Sequence, residues 1–185
     1  MASPTQSVIN AWHRLHRLPG GTWLFSRTLG FLVPYTGTIG AHVRVLEPGY
    51  ARVTLRDRRH VRQHLGSVHA VALVNLGEVT SGLAMLMSLP PGIRSIVTNL
   101  SAEYFKKARG TLTSEARVSV SAVTGPTQHT VQAEIKDAAG DRVCLVTAVW
   151  RLDLMALKFA PLRTRCWSSG NRPLIRRSRS STSAT

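Results

Sequence analysis

A long apolar pattern runs from Ala70 to Ile93 (AVALVNLGEVTSGLAMLMSLPPGI), and Glu78 is the only charged side chain inside it. Val68, Val71, Ala72, Leu76, Val79, Leu83 and Leu86 recur at helical spacing. Leu73, Gly77, Ser81 and Ala84, on the other side, are also small or apolar. The pattern predicts a helix that starts after Ser67, its N-cap, and stops at Pro90-Pro91-Gly92. A helix apolar nearly all round is buried on most sides. A carboxylate inside it is expensive unless it is paired, protonated or used.

Two alternating runs precede this helix. Ile39, Ala41, Val43 and Val45 share one side of a strand over Thr38–Glu47, and Ala51, Val53 and Leu55 share one side of the next. Glu47-Pro48-Gly49-Tyr50 turns between them, so the pair reads as a hairpin. Upstream, residues 5–17 read as a short helix stopped by Pro19-Gly20-Gly21. A second helix is expected over roughly 23–32, capped by Thr22 and ended by Pro34. Trp12, Trp23, Phe25, Phe31 and Tyr35 in this segment read as packing residues rather than parts of a disposable leader. Residues 58–66 form a charged, irregular connection.

Four strand-like runs follow the long helix, at about 94–106, 111–123, 129–137 and 142–153, and their close spacing favours antiparallel neighbours. Gly110, Gly125-Pro126 and Ala139-Gly140-Asp141 separate them. The economical packing is an α+β fold in which an antiparallel sheet of six strands curls around the helix. The last run, Val143 to Trp150, is apolar on both faces. One face packs on the helix, and the other calls for a cover that a partner subunit can supply.

Composition narrows the class. The 185 residues, 43% hydrophobic, suffice for one domain with a real core. Cys144 and Cys166 are too few for a disulfide framework; without a signal-peptide pattern they suggest a reducing, cytoplasmic setting. No zinc-type Cys/His spacing occurs. Residues 70–93 approach the ~20 residues of a membrane span. Asn75, Glu78, Thr80 and Ser81 fall inside them, however, so no span is expected.

The net charge of +15 is unevenly placed. Residues 1–46 hold four arginines and no acid, and residues 154–185 hold seven basic residues and no acid. Such a balance steers polyanionic ligands, whether nucleic acid or a phosphate-bearing cofactor. The tail arginines Arg172, Arg176, Arg177 and Arg179 have no stacking aromatics among them, so nucleic acid is not the expected partner. Residues 163–185 have little to bury and are expected to be disordered.

Four stretches carry a resemblance. They are Leu18-Pro19-Gly20-Gly21-Thr22-Trp23-Leu24-Phe25, Pro34-Tyr35-Thr36-Gly37, His64-Leu65-Gly66-Ser67-Val68-His69-Ala70 and Glu103-Tyr104-Phe105-Lys106-Lys107-Ala108-Arg109-Gly110. With the order of elements, they resemble a hotdog-fold family. It is catalogued as a domain of unknown function beside the 4-hydroxybenzoyl-CoA and phenylacetyl-CoA-type thioesterases. The resemblance covers residues 8–153. It implies an N-terminal helical segment over 1–35 packed on a hotdog domain over 36–155, followed by a basic tail over 156–185.

Thioesterases of the phenylacetyl-CoA type carry an Asn, a Gly, then His-Gly-Gly, and an Asp nine residues after that His. Laid on this chain, these positions hold Gln63, Gly66, His69-Ala70-Val71 and Glu78. The resemblance thus implies an acyl-CoA thioesterase, with coenzyme A present only as part of the substrate and with no metal. Glu78 would be base or nucleophile, and the N–H groups of Ala70 and Val71 at the helix start would hold the oxyanion. Gln63 and His69 would position the thioester, with Gly66, His64 and Asn99 nearby. Lys106, Lys107 and Arg109 would meet the coenzyme A phosphates.

Structural alternatives stay open for these residues. Glu78 can pair with Arg59 or Arg62, His69 can hydrogen-bond near the helix start, Gln63 and His64 can be loop polar groups, and the basic trio can be a solvated turn. Spacing adds a condition. Ala70 and Glu78 lie ~12 Å apart along one helix axis, so both cannot touch one thioester group. The expected site therefore lies between subunits of a homodimer or homotetramer. A non-catalytic binder of acyl-CoA or an acyl chain is the alternative.

Overall fold

The computed structural model describes residues 4–121 and 123–154; the second unit of the chain, Ala156–Thr185, and the expectation of disorder attached to it lie outside the described residues. The elements in chain order are α1 (Pro4–Leu15), α2 (Gly21–Leu32), the single turn α3 (Pro34–Gly37), β1 (His42–Glu47) and β2 (Tyr50–Arg56). After a 3₁₀ turn at Arg59–Val61 come α4 (Ala70–Ser88), β3 (Ile93–Tyr104), β4 (Thr111–Arg117), β5 (Thr127–Lys136) and β6 (Arg142–Leu154). The six strands form one sheet in the order β1-β2-β4-β5-β6-β3, and each neighbouring pair is antiparallel. The sheet curls around α4, which is the hotdog arrangement.

Alternation along the strands makes the inner face. Val53 and Leu55, Leu112 and Ala116, Val131, Ala133 and Ile135, and Val146, Ala148 and Leu152 are all buried. From the helix, Leu76, Ala84 and Met85 meet them fully buried. Each large apolar side chain removed from water contributes about 1.5–3 kcal/mol. The closest approach is at Gly77, where an added Cβ would overlap the Val146 side chain. Gly82 lies one helical turn further on, against the Trp150 ring. These glycines let the helix axis sink toward β6. Of the described helices, α4 alone has the length and hydropathy of a membrane span, and most of it is buried as the core of the sheet.

The N-terminal helices are tied to this core. Trp12 Nε1 donates to the Leu46 carbonyl at 3.0 Å, and its ring meets Phe25 edge-on at 5.0 Å. The Val43 N–H donates to Ser26 Oγ at 2.9 Å, which holds α2 to β1. Trp12 and Phe25 are thus core residues as expected, whereas Trp23, Phe31 and Tyr35 are exposed. The reason is that α2 and α3 form a single outer layer whose far side has no neighbour among the described residues.

Several boundaries differ from expectation, and β1 starts at His42 rather than Thr38. Gly20, at φ 74°, rather than Thr22, precedes α2 and lets the helix begin at Gly21 under the Leu15 carbonyl. Pro34 does not merely end α2; it opens α3 at the first helical position, where its missing N–H is harmless. β4 ends at Arg117 rather than near 123.

Replacing Gly77 by Ala is expected to lower stability by roughly 1–3 kcal/mol through overpacking, despite the better helix propensity of Ala. Urea unfolding measures it; an unchanged midpoint would show slack between α4 and β6.

Candidate functional site at the start of the central helix

The chain enters α4 through a small closed loop. The Gln63 N–H donates to the Ser67 carbonyl at 2.9 Å, and Gln63 Nε2 donates to Ser67 Oγ at 2.8 Å. Gly66 closes the turn at φ 70°, a left-handed backbone that favours glycine. An isolated bridge between Arg62 and Val68 holds the two limbs together. Val68 is thus still in an extended segment, and the helix starts two residues later than a Ser67 cap requires.

His69 caps the helix instead. Its backbone is extended, and its Nδ1 accepts the Val71 N–H at 3.1 Å. The Val71 N–H is therefore engaged within the chain, and the Val71 side chain is exposed. The Ala70 N–H has no acceptor among the described residues, so it is the donor left open at the positive end of the helix. The two-donor oxyanion pair expected at Ala70 and Val71 narrows to one.

The loop after β3 packs beside this entry. The Val68 N–H donates to the Ala108 carbonyl at 2.9 Å, and the Tyr104 hydroxyl donates to the Ala70 carbonyl at 3.3 Å. Gln63, Gly66, His69, Ala70, Lys107 and Arg109 are thereby gathered at one end of α4. His64 is exposed on the same loop. Tyr104 lies in one of the four resemblance stretches, but no motif position marks it. Its place over the helix start follows from the pairing of β3 with β6, which is a long-range fact.

Two expected members stand apart. Lys106 Nζ binds Asp137 at 2.6 Å and Asp141 at 2.7 Å, so its charge is neutralised by the β5–β6 turn. Asn99 lies opposite Val149. Opposed residues share a face of the sheet. Val146 and Trp150, which abut α4, alternate with Val149, so Asn99 points to the outer face, away from the helix. A bulge between Val97 and Asn99 sets this phase, which the sequence pattern does not announce.

Glu78 sits two turns along α4, half-buried, with no hydrogen-bond or ion-pair partner for its carboxylate among the described residues. Arg62 is engaged by Asp57 at 2.6 Å, and neither Arg59 nor Arg62 reaches Glu78, which removes the structural pairing alternative within one chain. Burial alone pushes the Glu78 carboxyl above its ordinary value of 4.5. Glu78 lies on a strip with Val71 and Val74 that the sheet leaves partly open. Leu100 and Tyr104 of β3 flank that opening, and both are exposed. Leu100 and Tyr104 oppose Ala148 and Cys144, which puts them on the helix side of the sheet.

A curled antiparallel sheet around one apolar helix, with an unpaired carboxylate on that helix, defines a hotdog-fold protein. The chain belongs to the family described as Domain of unknown function (DUF4442), which matches residues 21–152. No curated protein matches it. Among solved structures, the structural-genomics target APC5556 is 28% identical with a TM-score of 0.70, covering 80% of this chain and 99% of its own. PA5026 from Pseudomonas aeruginosa, described as a probable thioesterase, is 24% identical with a TM-score of 0.65, covering 74% and 97%. The thioesterase HI1161 from Haemophilus influenzae is 16% identical with a TM-score of 0.61, covering 71% and 92%. The last two likenesses concern the fold.

The raised pKa of Glu78 has a sign. A group whose folded pKa lies above its unfolded one favours folding fully below the unfolded value, and that contribution is lost as pH rises through the folded one. Glu78→Gln, which cannot ionise, is therefore expected to gain stability over the wild type as pH rises from 4.5 toward neutrality. Thermal unfolding across that range measures it; parallel curves would mean that the carboxylate has a compensating neighbour.

Proposed function

We propose that this protein is an acyl-CoA thioesterase whose site is shared between two copies of the chain, in a homodimer or a dimer of dimers. The observation that carries the reading is the Glu78 carboxylate, half-buried, unpaired and placed on the open strip of an otherwise enclosed helix. Retaining such a group without a partner destabilises the fold, and a catalytic use explains its presence. The open Ala70 N–H supports the reading as a second half-site. The names of two structural relatives support it as well.

The shared site follows from β3. It is an edge strand of twelve residues with exposed Ile96, Leu100 and Tyr104. A long apolar edge invites strand pairing. Antiparallel pairing of two β3 edges would continue the sheet and bring two α4 helices together in opposite senses. The Glu78 of one copy would then face the Ala70 N–H of the other, which removes the ~12 Å separation within one helix.

In that arrangement the helix start polarises the thioester carbonyl. Glu78 takes a proton from water as the water oxygen attacks the carbonyl carbon. The C–S bond then breaks, and the proton passes to the departing thiolate. Direct attack by the carboxylate, followed by hydrolysis of the resulting anhydride, is the nucleophilic variant. Lys107 and Arg109, beside the helix start, are the side chains for the coenzyme A phosphates. A reducing, cytoplasmic setting goes with this reading. The engaged Val71 N–H favours a second reading, a binder of acyl-CoA without turnover, because one oxyanion donor remains where two were expected.

Glu78→Ala is expected to reduce thiol release from a panel of acyl-CoAs by about 10²-fold or more while the native assembly persists in sedimentation. Full activity in that variant would overturn the mechanism. Saturable acyl-CoA binding by the wild type without thiol release would establish the binder. Leu100→Glu is expected to dissociate the assembly and abolish activity together; an active monomer would overturn the shared site.

A further inference from the structure

A second concave region has neither Glu78 nor the start of α4 in its lining, although Val79, the residue after Glu78, forms part of its wall. It is a partly open cavity of about 340 Å³ lined by residues of α2, α3, β1, β2 and one residue of α4. This volume falls at the lower end of the ~300–1,000 Å³ typical of small-ligand pockets. Its apolar walls include Leu29, Val43, Val53 and Val79. Trp23 and Phe31 also line it, and they are 58% and 85% exposed, far more than the apolar residues of the core. Large apolar side chains around a preformed hollow mark a place where apolar ligand surface can be covered.

The charges around the cavity have one sign. Arg27 and Arg58 line it, both are exposed, and neither has a carboxylate partner among the described residues. Arg27 lies over the Trp23 ring at 6.0 Å. No acid lines the cavity, and residues 1–46 contain none at all. His42, the remaining ionisable lining group, is held by Thr22 Oγ1 at 3.2 Å. Burial first, then Arg44 and Arg56, push its imidazole below the ordinary value, so the cationic groups on the cavity are the two guanidiniums.

The cavity is built rather than incidental. A Cβ at Gly37 would collide with the Gly30 carbonyl, so this glycine pair lets α3 lie directly on α2 beside the hollow. Asn75 Nδ2 donates to the Tyr35 carbonyl at 3.3 Å and ties α3 to the central helix.

We propose that the cavity between α2, α3 and β1 is a binding site for a carboxylate carrying a medium-length hydrocarbon tail, with the tail on Trp23, Phe31 and Val79 and the carboxylate between Arg27 and Arg58. Guanidinium groups match carboxylates in geometry as well as in charge. The assignment does not depend on Glu78 being catalytic.

Octanoate binding to the intact protein, measured by calorimetry at neutral pH, tests the site. Octanoate is expected to bind saturably and more tightly than either octanol or acetate. The double variant Arg27→Gln/Arg58→Gln changes two exposed side chains and should keep its fold by circular dichroism. It is expected to lose about tenfold or more in octanoate affinity with octanol unaffected. Phe31→Ser should weaken both alkyl ligands, and Glu78→Gln should leave octanoate binding unchanged. Wild-type octanoate affinity in the double variant would overturn the site, as would the absence of saturation. An equal loss in Glu78→Gln would overturn it by moving the ligand to the central helix. Binding of phosphatidylglycerol vesicles that depends on these arginines, without octanoate binding, would replace it with a membrane-facing surface.

Discussion

The central helix has no polar face, and the rest of the structure answers that constraint. Leu76, Ala84 and Met85 are fully enclosed, and even Thr80 and Ser81 are buried, with their hydroxyls turned back onto helix carbonyls. A single flat sheet would cover only one side of such a helix, so the six strands must curl. Gly77 and Gly82 set how closely they do so, because a Cβ at Gly77 would overlap Val146 and one at Gly82 would press on the Trp150 ring. The sheet still ends at β3 before the helix is fully wrapped. The remaining strip, with Val71, Val74 and Glu78, is where the fold is incomplete as one chain.

That incompleteness and the chemistry coincide. The helix start offers one open N–H at Ala70, because His69 engages the Val71 N–H, and the carboxylate sits two turns further along. On the proposed reading these are the two halves of a thioester-cleaving site, and on one helix they are too far apart to act on one bond. The same exposed edge that makes β3 a liability for a lone chain would, in the proposed assembly, let a second copy bring them together. In that proposal, stability and function make the same demand on one surface.

The outer layer of α1, α2 and α3 follows a different logic. Trp12 and Phe25 anchor it, and Ser26 stitches it to β1. Its other aromatics, Trp23, Phe31 and Tyr35, stay outside. As a string of residues, all five aromatics read as packing groups, because hydrophobicity does not tell which side of a thin layer a side chain will occupy. The basic group at 106–109 shows the same limit for charge. Lys106 is absorbed by two aspartates some thirty residues away, while Lys107 and Arg109 stay exposed. Adjacent residues of the same type have different electrostatic surroundings, set by which turn folds back on them.

Local patterning alone determined the order of the six strands and the three longer helices, the antiparallel sheet around one apolar helix, and the singular status of Glu78. Periodicity and turn residues act over a few positions, so they are legible along the chain. The helix spacing even separated Ala70 from Glu78 without any coordinates. Tertiary structure decided what depends on contacts between distant segments. It made His69 the cap in place of Ser67, because the bridge between Arg62 and Val68 keeps the chain extended until residue 69. It turned Asn99 to the outer face through a bulge, brought Tyr104 over Ala70, and left Glu78 without either arginine. Each outcome is a competition among partners remote in sequence, and such a competition is resolved only when the sheet closes around the helix.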